Sequence, residues 1–221
     1  MKRVLVLRPE PGASATVERA RRRGLNAVAA PLFEIEPIDW EAPDPAGFDG
    51  LLLTSANAVR CGGEQLTLLK GLQVHAVGEA TAETARNGGF NVATTGDSGV
   101  DALLASLPHG LKLLHLCGAE RRQTGSALQE ITPVIVYRSR QIERPDLSLA
   151  GDCIALIHSP RAGARVAELV RERGSIEIAA ISPAAAEAAG TGWASTHVAQ
   201  SATDEALLAL AACLCNKPEP K

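Results

Sequence analysis

The sequence predicts an α/β protein made of two similar parallel-sheet domains with helices on both faces. Short apolar runs alternate with helical segments along nearly the whole chain, which is the pattern of parallel strands joined by crossover helices. Several of these runs are apolar on both faces, as strands covered by helices on both sides must be. Matching residues that recur 104 positions apart predict that the architecture occurs twice.

The first predicted block is a strand, a helix and a second strand. Its strands span 4–7 and 27–32, and its helix spans 13–23. Ser14 is the candidate N-cap of this helix, and Gly24 follows its last turn. The acidic, Pro-rich segment 37–48 that comes next is typical of a linker.

The middle block is longer and ends before a second polar linker, 143–152. Gly62 and Gly63 lie inside its first helical segment and predict that this helix is short or broken. Its predicted strands are 51–53, 74–77, 92–94, 111–116 and 133–137, and its predicted helices are 56–70, 79–86, 100–107 and 124–131.

The last block resembles the front of the middle one. Its predicted strands are 154–157, 178–181 and 196–198, and its predicted helices are 161–173, 184–189 and 204–214. Two of its helices begin with Ser-Pro, a strong helix-start signal because Ser caps the first turn and Pro fits the first helical position. The end of the chain, 216–221, is predicted to be a frayed tail.

An internal repeat relates the two larger blocks. Ser55 and Ser159 stand at equivalent strand-to-helix junctions 104 positions apart, and so do Gly78 and Ser182. Further pairs with this offset are Glu83 and Glu187, Gly88 and Gly192, and residues 102–105 and 206–209. A duplication explains why all these pairs have the same offset. The alternative is that they are chance matches in an Ala-rich chain. The repeat predicts one discontinuous domain, 1–35 with 142–221, and one continuous domain, 36–141.

Composition restricts the class of protein. The chain has 221 residues, of which 46% are apolar but only 3% aromatic, so the core must be aliphatic and a nucleic-acid stacking platform is excluded. A net charge of −3 gives no basic field to attract a polyanion. The five cysteines form no CxxC pair, which favours reduced thiols, and no apolar run is long enough for a signal peptide or a membrane span. A soluble, cytoplasmic protein without nucleic-acid or membrane partners is expected.

Most sequence signatures of catalytic or metal sites are missing. There is no P-loop, no GxGxxG after a strand, no HExxH and no zinc-type Cys/His spacing. The five histidines are scattered, and a Ser-His-Asp triad stays open although no GxSxG elbow supports it. What remains is a set of helix starts at the carboxyl ends of strands. Their unpaired N–H groups favour a large anionic ligand.

A series of motifs, each weak alone, is specific in its order and spacing. The motifs are VLVLRP (4–9), PLFEIEP (31–37), FDGLLLTSANAV (48–59), HAVGEATAETARNGGF (75–90), LLHLCGAERR (113–122), VIVYRS (134–139), IHSPRA (157–162) and AAISPAAAEAAG (179–190). In this order they resemble the uroporphyrinogen-III synthases, and the resemblance covers nearly the whole chain.

The resemblance implies both a fold and a reaction. It implies two flavodoxin-like α/β domains joined by a two-stranded linker, and a cofactor-free, metal-free enzyme, expected to be monomeric. The implied substrate is hydroxymethylbilane, a linear tetrapyrrole with eight carboxylates. The enzyme would remove water and close the ring with the last pyrrole inverted. A transient contact with the preceding pathway enzyme is also implied.

The resemblance further implies roles for single residues. Tyr137 would assist departure of the hydroxyl as a donor. The implied substrate-binding residues are Arg8, Thr54, Ser55, Ala56, Asn57, Gly78, Thr81, Gly118, Arg138, Ser159, Pro160, Arg161, Ser182 and Ala184. The alternatives are that the hydroxyl residues only cap helices, that Tyr137 only packs, and that the arginines are ordinary surface residues.

One motif departs from the family pattern. The family usually has a Thr-rich motif close to GPTTA where this chain has Ser182-Pro183-Ala184-Ala185-Ala186, so hydroxyl contacts expected there are lost. A non-catalytic two-domain module that binds a tetrapyrrole or another polyanion is therefore the alternative function. A generic α/β hydrolase is disfavoured because the nucleophile elbow is absent.

Overall fold

The computed structural model describes residues 2–97, 99–120 and 127–216. In chain order the elements are β1 (Arg3–Val6), α1 (Gly12–Arg22), β2 (Ala27–Ala29), β3 (Phe33–Pro37), β4 (Gly50–Leu53), α2 (Ala56–Cys61), β5 (Val74–Val77), α3 (Glu79–Asn87), β6 (Val92–Gly96), α4 (Val100–Ser106), β7 (Lys112–Gly118), β8 (Glu130–Gln141), β9 (Cys153–Ile157), α5 (Pro160–Leu169), β10 (Glu177–Ala180), α6 (Pro183–Ala189), β11 (Ser195–Val198) and α7 (Asp204–Cys215). They form two compact units. Unit 1 is Met1–Glu34 with Gln141–Lys221, and unit 2 is Ile35–Arg140.

Unit 1 is built on a five-stranded sheet with the order β11-β10-β9-β1-β2, in which every neighbouring pair is parallel. Alternate residues of its strands enter two separate aliphatic clusters, because successive side chains of a strand point to opposite faces. Val4 and Val6 pack with α1 and α7, whereas Leu5 and Leu7 pack with α5 and α6. Helices therefore cover both faces of the sheet.

Unit 2 is built on a six-stranded sheet with the order β3-β8-β7-β4-β5-β6, parallel from β8 to β6. Leu51 and Leu53 pack against α2 and α3, and Leu52 packs against α4 on the opposite face. The apolar run that follows Gly50 is thus buried on both faces, for the same reason as in unit 1.

The two sheets have the same strand order if the strands of unit 1 are counted from β9 onward and then from β1. Unit 1 follows β11-β10-β9-β1-β2, and unit 2 follows β6-β5-β4-β7-β8. The shift places β9 of unit 1 at the position of β4 in unit 2, as the 104-residue offset between Ser159 and Ser55 requires. In each unit the chain order reverses between two central neighbours, β9 and β1 or β4 and β7. Open α/β sheets bind ligands at such points.

The mixed α/β fold with parallel sheets is confirmed, and so is the broken helix at the double glycine. α2 ends at Cys61 and a 3₁₀ turn over Glu64–Leu69 follows. Gly63, between the two, has a φ of +63°, which a side chain would strain.

Two predicted helices have the wrong bounds, and a third, α1, has the wrong N-cap. Residues 130 and 131 belong to β8 and not to a helix over 124–131. The Gln129 side chain anchors this segment to the carbonyls of Leu104 and Leu107 at the end of α4, and Glu130 pairs with Lys112. α5 ends at Leu169, four residues before its predicted end. α1 begins before Ser14, whose amide donates instead to the Glu10 carboxylate over 2.9 Å.

Some predictions fall outside the described residues. These are the start of the helix predicted over 124–131, Arg121 and Arg122 of the LLHLCGAERR motif, and the tail after Asn216. Among the described residues, every helix is too short or too polar to cross a membrane.

Candidate functional site

The predicted site residues of unit 2 gather at the carboxyl ends of β4 and β7. These strands are neighbours, and the chain order reverses between them. Thr54 and Ser55 follow β4, Gly118 ends β7, and Tyr137 lies on β8 opposite Gly118. The structure therefore brings Ser55, Gly118 and Tyr137 together from three strands.

A chain of donors and acceptors runs from α2 to Tyr137. Ser55 is the N-cap of α2, and its Oγ accepts from the Asn57 amide over 3.2 Å. Ser55 is also a polar neighbour of Tyr137 and lowers the pKa of its hydroxyl. A hydroxyl has one donor and two acceptor positions, so the Ser55 O–H can point at the Tyr137 oxygen. The phenolic O–H of Tyr137 is then left to donate to a ligand.

Tyr137 is held as a neutral phenol. Burial raises the pKa of its hydroxyl above the ordinary value of 10.0, and its polar neighbour Ser55 offsets part of that shift. At neutral pH the group is a proton donor, not a base. This is the state that departure of a hydroxyl from a substrate requires.

The position of the Tyr137 ring depends on Gly118. A Cβ built on Gly118 would lie 2.7 Å from Cε2 and Cζ of the ring and 3.0 Å from its hydroxyl oxygen. Atoms at such distances overlap, so only glycine lets the ring lie against the end of β7. The Ala119 amide also donates to the Tyr137 carbonyl over 2.9 Å, which fixes the backbone beneath the ring.

A bulge in β8 sets the direction in which the Tyr137 side chain points. Cys117 pairs with Ile135, but Gly118 pairs with Tyr137, so one residue is inserted. Val136 is fully buried, and both it and Tyr137 pack on the cluster that covers the α2 face. Successive residues of a regular strand point to opposite faces, so the irregularity explains how both reach one cluster.

The other predicted residues of the α2 start have structural partners of their own. Thr54 Oγ1 lies 3.0 Å from Nε2 of His115, which is buried in β7. The Asn57 side chain accepts from Arg60 over 3.3 Å, and Ala56 is buried. The sequence analysis placed His115 only among five scattered histidines, and its contact with Thr54 was not predicted.

Gly78 and Thr81 differ in their access to a ligand. Gly78 precedes α3 with a φ of +81°, and no side chain caps the first amides of this helix. Thr81 is only 5% exposed. A contact between the Thr81 side chain and substrate stays a prediction.

In unit 1 the predicted Ser-Pro helix starts have the expected geometry. Ser159 Oγ accepts from the Ala162 amide over 3.2 Å, with Pro160 in the first helical position of α5. Ser182 Oγ accepts from the Ala185 amide over 3.3 Å, and Ala184 is exposed in the first turn of α6. The serine side chains thus satisfy one amide each and leave others for a ligand.

The three predicted arginines are not equivalent. Arg138 donates from Nε to Glu36 over 2.9 Å and is already in an ion pair. The Arg161 guanidinium lies over the Phe33 ring, 4.7 Å from its centre. Arg8 follows β1, and its guanidinium carbon would lie 3.0 Å from a Cβ on Gly12, so the charge rests on the first turn of α1.

A polar cluster at the carboxyl end of the unit 1 sheet was not predicted. Asp204, at the start of α7, accepts from His158 Nε2 over 2.8 Å, from Thr16 Oγ1 over 3.0 Å and from Arg19 Nη2 over 2.7 Å. Arg8 Nη1 lies 3.6 Å from the same carboxylate. Although burial opposes it, the donors lower the pKa of Asp204 far below its ordinary value. No local sequence signal joins residues so distant along the chain.

Groups of three or more side chains that could hold a metal ion are absent from the described part of the chain.

Titration of the single tyrosine should report the site directly. We expect Tyr137 in the native chain to ionise at a pH above 10, followed by the tyrosinate absorbance near 295 nm, since burial raises its pKa. The unfolded chain should titrate near the ordinary value. Between the two pKa values only the unfolded state has lost the proton, so the free energy of unfolding should fall as the pH rises above 10. A native midpoint at or below that of the urea-unfolded chain would contradict the assigned environment.

Comparison with known proteins gives a match over most of the chain. Residues 14–209 match the family model described as uroporphyrinogen-III synthase HemD. A curated relative, a uroporphyrinogen-III synthase from Chlorobaculum parvum, is 33% identical over 101 residues, which is 42% of this chain. The aligned stretch spans only 41% of the length of that relative.

Solved structures match the fold over nearly its whole length. The crystal structure of a uroporphyrinogen-III synthetase from Helicobacter pylori is 19% identical with a TM-score of 0.65, covering 97% of this chain and 100% of that one. A mutant uroporphyrinogen III synthase from Thermus thermophilus is 17% identical with a TM-score of 0.55, covering 98% and 100%. At these identities the two likenesses show a common fold.

Proposed function

Because the chain belongs to the uroporphyrinogen-III synthase family, we propose that it closes hydroxymethylbilane to uroporphyrinogen III, with loss of water and inversion of the last pyrrole ring. The observation that carries the proposal is the family match over residues 14–209. The arrangement of Ser55, Gly118 and Tyr137 supports it, because it presents a neutral hydroxyl donor at the carboxyl end of a parallel sheet.

Tyr137 assists the first step, the departure of the terminal hydroxyl. Its phenolic proton goes to the leaving oxygen, which departs as water, while the pyrrole nitrogen supplies electrons to the carbon left behind. The Ser55 O–H stabilises the oxygen of Tyr137 as negative charge develops on it. The last pyrrole ring attacks through its substituted carbon, and the bond from that carbon to its original bridging methylene then breaks. The unsubstituted carbon of the inverted ring bonds to the freed methylene and loses its proton, which restores the phenol. The reaction therefore releases one water and consumes no other reagent.

The remaining task is positioning. The substituted carbon of the last ring must attack before the unsubstituted one, which requires the two ends of the bilane to be held in one geometry. Eight carboxylates give the protein many points of attachment. In unit 2 the donors are the amides after Ser55 and Gly78, and in unit 1 they are the amides after Ser159 and Ser182.

Single residues add to these amide donors. Thr54, Asn57, Pro160 and Ala184 shape three of the four helix starts, and Arg8 contributes a cation in unit 1. Arg161 and Arg138 contribute charge more weakly. The first is stacked on Phe33 and the second is paired with Glu36.

The finer architecture is part of the proposal. We infer that units 1 and 2 are flavodoxin-like domains of common origin. Strands β3 and β8, where the chain passes between the units, would act as a two-stranded linker. The shared strand order and the 104-residue offset support this interpretation. The protein is proposed to act as a cytoplasmic monomer that makes at most a transient contact with the enzyme supplying its substrate.

Supplying hydroxymethylbilane and separating the product isomers tests the function. We expect mainly the type III isomer, since the uncatalysed reaction gives type I. Type I alone, at the rate seen without protein, would overturn the proposal. It would favour the second candidate, a module that binds a tetrapyrrole without converting it. The three alanines at 184–186 are the observation behind that candidate, because they supply no hydroxyl at the start of α6.

A further inference from the structure

We propose that Asp204 is a positioning residue that holds Arg8 in place to bind one carboxylate of the substrate at the carboxyl end of the unit 1 sheet. The inference rests on the proposed function, whose substrate supplies the carboxylates. Asp204 itself would not touch the substrate, because its two oxygens are already occupied.

The contacts of Asp204 show it to be saturated. Oδ2 accepts from Nε of Arg19 over 2.9 Å and from Nη2 over 2.7 Å, and Oδ1 accepts from Thr16 and His158. Its side chain is 12% exposed. A carboxylate with four donors and a strongly lowered pKa cannot serve as a base and has no lone pair directed at solvent. It can, however, fix the groups around it.

The cluster has more positive than negative charge. Two guanidinium groups, those of Arg8 and Arg19, face the single carboxylate of Asp204. Arg19 takes the short contacts, whereas Arg8 stands 3.6 Å away and keeps 35% of its side chain exposed. The uncompensated cation is therefore Arg8, and it lies where β1 ends beside β9.

The location of Arg8 is enforced from two further sides. Its Nη1 lies 3.4 Å from Thr16 Oγ1, and Thr16 is fully buried and donates to Asp204. Its Nε would lie 2.7 Å from a Cβ on Gly12, so the missing side chain provides the room for the guanidinium. Asp204 thus acts on Arg8 directly and through Thr16.

His158 belongs to the same arrangement. It follows the neighbouring strand β9, its side chain is 7% exposed, and Nε2 is bound to Asp204. Its Nδ1 is buried and has no partner among the described residues. The contact with Asp204 is therefore what orients the ring beside the start of α5.

The sign of the effect separates positioning from simple electrostatics. Removing a negative charge beside an anion site should tighten the binding of a polyanion if charge alone matters. If Asp204 positions Arg8, Asp204→Asn should instead weaken binding, because the carboxylate that holds the cation is gone. Glu205→Gln is the matched control, since it makes the same change one residue along α7 on an exposed side chain.

The experiment measures binding of uroporphyrin I, an unreactive octacarboxylate, by fluorescence titration of the full chain. We expect the Kd to rise about tenfold for Asp204→Asn and about tenfold for Arg8→Gln, the scale of one charged hydrogen bond. The double variant should lose about tenfold and not a hundredfold, because the two residues act as one unit. With hydroxymethylbilane, KM should rise in parallel while kcat changes little.

Several outcomes of this experiment would contradict the positioning role of Asp204. Unchanged or tighter binding by Asp204→Asn, additive losses in the double variant, or no binding by the wild type would overturn the inference. If Asp204→Asn fails to fold, Gly12→Ala displaces the Arg8 guanidinium without touching Asp204, and unchanged affinity in that variant would overturn it as well. If the wild type binds uroporphyrin but forms only the type I isomer, the proposed function is wrong. The coupling of Arg8 with Asp204 is then judged from the binding data alone.

Discussion

Replacing Tyr137 with Phe should lower kcat by about 10- to 100-fold, which reaches only the lower limit of the usual range for general acid catalysis. The hydroxyl is the only part removed, and the ring keeps its place against Gly118 and on the α2-face cluster. Because the bilane loses water readily, the donor contributes less than in reactions with a poor leaving group. The product isomer ratio and the initial rate, measured over a range of hydroxymethylbilane concentrations, check this expectation.

The balance between kcat and KM identifies the role of Tyr137. A donor that acts on the leaving oxygen matters most in the transition state, so KM should change less than about threefold. Trp40→Phe is the matched control, since it removes an N–H from another aromatic residue that packs on the same cluster. Turnover as fast as that of the wild type would remove Tyr137 from the mechanism. An equal loss in the Trp40 variant would point to general loosening of unit 2.

Local chemistry explains which parts of the structure could be predicted from the sequence. The Ser-Pro starts at Ser159 and Ser182, and the break at Gly62 and Gly63, depend on residues within one turn of each other, and the structure has them all. A cap is a contact between near neighbours in the chain. The residue types therefore indicate where a cap can form, although Ser14 shows that a suitable residue is not always used.

The Asp204 cluster shows what the sequence could not reveal. Its members come from α1, α7 and the ends of β1 and β9, and only the strand order brings them together. Asp204 was predicted only as the start of a helix, and His158 only as a scattered histidine. The bulge that aims Tyr137 was likewise hidden, because it depends on the pairing of β8 with β7 and not on the residues of β8 alone.

A second consequence of tertiary packing concerns Gly163, which lies in the middle of α5 where this helix crosses α6. A Cβ at this position would lie 2.6 Å from the Ala185 carbonyl oxygen and 2.9 Å from the Ala189 amide nitrogen. Both are backbone atoms of a neighbouring helix, so a small rotation of a side chain cannot relieve the overlap. α5 and α6 can approach this closely only because position 163 carries no side chain.

Gly163→Ala should therefore destabilise unit 1 by about 3 kcal/mol, the upper range for overpacking a core. The expected sign is the reverse of the general rule, since alanine in a helix interior is favoured over glycine by about 1 kcal/mol. The measurement is urea unfolding followed by the fluorescence of Trp193, whose ring N–H donates to the Ala189 carbonyl of α6 over 2.9 Å, in a Trp40→Phe background. Ala164→Gly, on the exposed side of α5, gives the propensity effect alone and should cost about 1 kcal/mol. If Gly163→Ala instead raises the urea midpoint, the close packing of α5 against α6 is not how unit 1 is built, and the helix starts at Ser159 and Ser182 cannot lie where the binding proposal needs them.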